Sequence, residues 1–116
     1  MINFGTLIDF TQDYYNSDGL SDFIQQELEN YFCQGLPPGG FTTAVLAGDL
    51  FSAAMKADYW NKPNIAKIAN WISNNAPSGS YGSPEHVKNW IADKDKCRST
   101  YVTYVEQKAM WAILQA

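Results

Sequence analysis

The sequence predicts an all-α fold, a compact single-domain bundle of about six to seven short helices over residues 1–116. Three observations carry this. Apolar residues recur at spacings of three and four along almost the whole chain, and no period-two alternation extends beyond a few residues. A length of 116 residues suits one core and is too short for two ordinary ones. The apolar share of 46% against 17% charged exceeds what disordered chains carry.

Taken in order, Phe4, Leu7, Ile8, Thr11, Tyr14 and Tyr15 mark one apolar helix face, which Asn16-Ser17-Asp18-Gly19 ends as a turn. Leu20, Phe23, Ile24, Leu28, Tyr31 and Phe32 repeat the pattern, and Gly35 with Pro37-Pro38-Gly39-Gly40 stops it. A short helix starting at Phe41 closes at Gly48, after which Asp49 caps a helix over Leu50 to Ala57. Asn61 is the expected cap of the next helix, with Pro63 in its first turn and Trp60 stapled onto Ile65. Its inward stripe is Ile65, Ile68, Ala69 and Ile72, with Trp71 off that line. Residues 78–82 are rich in small side chains and read as a loop. Ser83 then caps a helix with Pro84 at its first position and Val87, Trp90 and Ile91 inward. The polar run Lys94 to Arg98 reads as a break before a last helix. That helix has two adjacent stripes, Val102, Val105, Ala109 and Ile113 beside Tyr101, Tyr104 and Trp111.

Charge is unevenly placed. Residues 1–55 hold seven acids and no lysine or arginine, whereas the remainder holds eight bases against five acids. An acidic half repels nucleic acid and steers toward basic surfaces, so direct nucleic-acid binding is not expected. A single arginine among the eight bases is weak equipment for gripping phosphates. No apolar run approaches the roughly 18 residues of a membrane span, and no secretory signal is visible, so the expected location is the cytoplasm. Cys33 and Cys97 lie far apart, form no metal-ligand spacing and read as buried free thiols.

Chemistry is thinly represented. One histidine, His86, sits in the first turn of a capped helix, where an exposed helical residue is the plain account. Asp49 and Asp58 flank one short helix, yet Asp49 is already explained as a cap. Neither cysteine has an activating histidine motif, so no enzyme, metal or cofactor is expected. Gly39-Gly40 before a helix lacks the lysine and hydroxyl residue of a phosphate-cradling loop. Together with the loop around residues 78–83, it supplies the alternative reading of a small-molecule or nucleotide-sequestering pocket.

Binding to a protein is the leading expectation, with two candidate surfaces. One is the acidic amino-terminal half, represented by Asp9, Asp13, Asp22 and Glu29. The other is the aromatic stripe of the last helix, Tyr101, Tyr104 and Trp111, since tyrosine and tryptophan dominate interface hot spots. A homodimer would also bury that stripe.

Residues 36–91 carry a further signal. Leu36-Pro37-Pro38-Gly39-Gly40-Phe41 with Ala44-Val45-Leu46, Gly48-Asp49-Leu50, Ala57-Asp58, Trp71-Ile72, Asn75-Ala76-Pro77, Tyr81-Gly82-Ser83 and Trp90-Ile91 follow in this order. This string resembles a small family of proteins encoded in bacteriophage and prophage genomes, with residues 1–35 and 93–116 as flanking helices. Where the family tends to read Asn-Asp-Leu, this chain has Gly48-Asp49-Leu50, which keeps the cap. The resemblance implies a phage context and marks no catalytic residue. In that context the expected function is non-enzymatic inhibition of a host protein, counter-defence of the anti-CRISPR or anti-restriction kind.

Overall fold

Every regular element among the described residues of the computed structural model is helical. It describes residues 19–115, apart from the side chains of residues 97, 98, 105, 108, 109 and 111–115. The helix expected over residues 4–15 therefore lies outside the described residues, as do Asp9, Asp13 and the side chain of Trp111. The elements are α1 (Asp22–Gln34), α2 (Gly40–Leu46), α3 (Leu50–Lys56), a 3-10 turn (Lys62–Asn64), α4 (Ile65–Asn75), α5 (Pro84–Ala92) and α6 (Lys94–Gln115). No helix among them is long and apolar enough to cross a membrane.

Local chemistry explains most boundaries. Ser21 accepts the Ile24 N–H through its hydroxyl and starts α1, while Gly35, at φ 65°, reverses the chain and returns its N–H to the carbonyls of Asn30 and Tyr31. Asp49 accepts the Ser52 N–H at 3.1 Å, and Ser83 accepts that of His86 at 3.1 Å. Gly48, at φ 74°, ends α2, and a methyl group there would sit 3.1 Å from the Gly82 carbonyl oxygen, so only glycine fits without strain.

Two boundaries differ from the sequence reading. Asn61 caps nothing with its side chain; the carboxylate of Asp58 accepts the Asn61 N–H at 2.7 Å, and a 3-10 turn precedes α4. The expected break at residues 94–98 is instead the start of α6, because Asp93 accepts the Lys96 N–H at 3.1 Å and Lys94, Asp95 and Lys96 face water.

Phe32 of α1 sits at the centre of the core. Its ring lies 5.1 Å from Tyr31, 6.3 Å from Trp71 on α4, 6.5 Å from Trp90 on α5 and 5.3 Å from Tyr101 on α6, the last stacked at 11°. Ile24, Leu28, Leu46, Ile68 and Ile72 fill the spaces between. Burial of side chains this large contributes roughly 2–3 kcal/mol each. Trp71, off the expected stripe, is 1% exposed, while Ala69, expected inward, is exposed; the buried line of α4 is Ile68, Trp71, Ile72 and Asn75.

The loop after α4 is pinned from both sides. Tyr31 donates its hydroxyl to the Ser80 carbonyl at 2.6 Å, Gly82 N–H reaches the Leu46 carbonyl at 2.8 Å, and the Trp90 indole donates to the Tyr31 carbonyl at 2.9 Å. Each bond satisfies a polar group that burial would otherwise penalise.

Candidate functional site

The structure places the expected contact residues unevenly. Asp22 is exposed in the first turn of α1. Glu29 is 4% exposed, which corrects its assignment to an outward acidic face. One of its oxygens, Oε1, has no hydrogen-bond partner, and burial raises its pKa from 4.5 to about 7. Tyr101 is also corrected: its ring is fully buried against Phe32 and is unavailable to a partner. Tyr104 is half-buried beside it, with ring centroids 5.9 Å apart, and burial followed by the neighbouring Tyr81 raises its pKa.

The residues named for chemistry stay occupied with local structure. Ser83 Oγ lies 2.8 Å from His86 Nδ1 while accepting the His86 N–H, an exposed helix start rather than a desolvated nucleophile and base. Asp49 and Asp58 accept backbone N–H groups of their own turns, and the Ser52 N–H holds the Asp49 carboxyl below its ordinary pKa. Among the described residues no three histidine, cysteine or acidic groups converge on a metal position.

Gly39-Gly40 and the loop of residues 78–83 meet α2 at opposite ends. Glu27 reaches across from α1, accepting the Gly39 N–H and the Thr42 hydroxyl, the latter at 2.9 Å, so the protein's own carboxylate fills the start of α2. The 78–83 loop bonds to Leu46 at the other end of that helix.

A different surface stands out. Leu50 is 64% exposed, Phe51 83%, Met55 87%, Tyr59 96% and Trp60 60%, all within one short stretch of chain. Local geometry puts them there. The Gly48 reversal and the Asp49 cap launch α3 against α2, and its only buried residue is Ala53. Phe51 lies about 200° around the helix from Ala53, and Met55 falls one turn beyond Phe51, so both face away from the core. A tight turn follows, closed by Asp58 on the Asn61 N–H and by the Asn64 amide on the Trp60 carbonyl at 3.0 Å. It holds Tyr59 and Trp60 outward.

Behind these rings runs a cleft of about 770 Å³ lined by Ala57, Asp58, Tyr59, Trp60, Lys62, Pro63 and Asn64. Isolated exposed apolar residues are ordinary on proteins, but five large ones fall here within residues 50–60.

The sequence reading missed this ridge, although a signal for it is present. Phe51 and Met55 form an i, i+4 pair on a helix of seven residues whose opposite side already carries Ala53, and so short a helix buries one stripe.

No known family model matches the chain, and neither does a curated protein or a solved structure.

Proposed function

We propose that the chain is a non-catalytic protein-binding module, and that its contact surface is the apolar ridge of α3 and the following turn. The exposure of Leu50, Phe51, Met55, Tyr59 and Trp60 within one short stretch of chain is the observation that carries this reading. Aromatic and methionine side chains of this kind supply most of the energy in interface cores. Lys62 lines the cleft beside Tyr59 and Trp60, so the partner segment that fits is amphipathic with an acidic residue at its rim. In the phage setting implied by the sequence resemblance, that segment belongs to a host protein which binding would inhibit.

The reading is tested by the double variant Phe51→Glu/Met55→Glu in capture experiments from nuclease-treated host lysate. Wild type retains a stoichiometric partner with an acidic amphipathic segment, and the double variant retains at most about one-tenth as much, an effect of 1.4 kcal/mol or more. Helical circular dichroism stays unchanged, because neither side chain packs in the core. Asp22→Lys leaves capture intact. Equal capture by the ridge variant would overturn the proposal.

A further inference from the structure

We infer that the exposed side of α3 and the turn after it pairs with the same surface of a second copy of this chain, giving a two-fold dimer. Three observations favour that occupant. The first is area. An aromatic side chain covers about 150–250 Å² when fully buried, so Leu50, Phe51, Met55, Tyr59 and Trp60 together leave roughly 750 Å² in water. The largest apolar patch on a typical monomer is about 300–600 Å², whereas each partner in a standard interface contributes about 800 Å². The stretch is also short enough to act as one contact. α3 is about 10 Å long and residues 57–60 add at most about 14 Å, within the roughly 30 Å width of an interface of that area.

The second observation is charge. At a two-fold contact each residue near the axis meets its own copy, so a charge there faces a like charge. Residues 50–55 contain none. The charges at the two ends of α3 are turned to its own fold: Asp49 accepts the Ser52 N–H, and Lys56 runs past the start of α2, where a methyl group on Gly40 would lie 3.4 Å from its Cδ. Further out, Asp58 and Lys62 line the cleft of Tyr59 and Trp60. That rim carries one acid and one base, so it can complement itself when a copy is rotated onto it.

The third is shape. Beside the exposed Leu50 lies a hollow of about 120 Å³, floored by the small residues Ala44, Gly48, Ala53 and Ala69 and almost wholly apolar. It has room for one aliphatic side chain. A protruding apolar residue and a hollow that accepts one, next to each other on a single surface, are what a self-complementary contact requires.

The dimer goes beyond the protein-binding reading, since it forms whether or not a host partner exists. A host segment aimed at the same surface competes with the second copy and binds best to dilute protein. Sedimentation equilibrium of the full-length chain supplies the test. A contact of this size gives a dissociation constant of about 10 µM or tighter, so at about 200 µM most of the protein sediments at twice the 13.0 kDa of one chain. Phe51→Glu/Met55→Glu weakens self-association at least about tenfold with unchanged helical circular dichroism, and Tyr104→Lys on α6 leaves it intact. A wild type that stays monomeric at about 200 µM overturns the inference. So does a dimer that survives the α3 double variant, or one that Tyr104→Lys dissolves and thereby assigns to α6. A monomeric chain that still captures a host protein leaves the protein-binding reading standing, and a dimer that captures nothing counts against that reading alone.

Discussion

Glu29 is a carboxyl group held where its charge is poorly solvated. It is 4% exposed, Oε1 is unpartnered, and burial raises its pKa from 4.5 to about 7. The folded protein thus holds this proton more tightly than the unfolded chain. The associated stability is fully present below the unfolded pKa near 4.5 and is lost as pH rises through about 7. Between about pH 4.5 and 7 the wild type is expected to lose on the order of 2 kcal/mol that Glu29→Gln keeps, read by urea denaturation across that range. An identical pH dependence in the two proteins would show the carboxyl to be well solvated. Individual residues such as Gly35, Gly48, Asp49 and Ser83 were legible in the sequence because their roles are set by neighbours within four positions. Glu29, Trp71 and Tyr101 were not, since their burial depends on which remote helix lies over them, and spacing along one helix does not encode its neighbour.

At the scale of elements, α2 is held at both ends by groups from other parts of the chain. Glu27 takes the Gly39 N–H and the Thr42 hydroxyl at its start, and Gly82 donates to Leu46 at its finish. Replacing Glu27 by alanine removes two bonds to a carboxylate. The expected cost is about 1–3 kcal/mol in chemical denaturation, with faster hydrogen exchange at Gly39. An unchanged Gly39 exchange rate would mean that water replaces the carboxylate without loss. The order and helical type of α1 to α5 follow the spacing of apolar residues, and the start of α6 does not. Lys94, Asp95 and Lys96 face solvent, and an outward-facing helical turn has the same composition as a loop. The ridge on α3 escaped for the converse reason, since apolar residues on a short helix are read as core until a partner helix fails to cover them.

Across the whole molecule, one aromatic cluster joins α1, α4, α5 and α6 through Phe32. Phe32→Ala is expected to cost about 3–5 kcal/mol and to lower cooperativity, measured by thermal unfolding at several wavelengths. A cost below about 1 kcal/mol would mean that the surrounding rings collapse into the space. The fold class was legible because helical periodicity recurs throughout; the closure of four helices around one phenylalanine was not, because it joins residues up to 69 positions apart. The bonds from Tyr31 to Ser80 and from Trp90 back to Tyr31 have a kinetic counterpart, for they span 49 and 59 positions. α1 forms early in time as the chain is synthesised, yet its native neighbours at residues 80–101 emerge only after most of the chain, and the entropy of closing that long loop precedes any gain from packing. The helices of the middle segment can pair with one another first, so the slow step in folding is expected to be the arrival of α5 and α6 on a face of α1 that has been waiting in water.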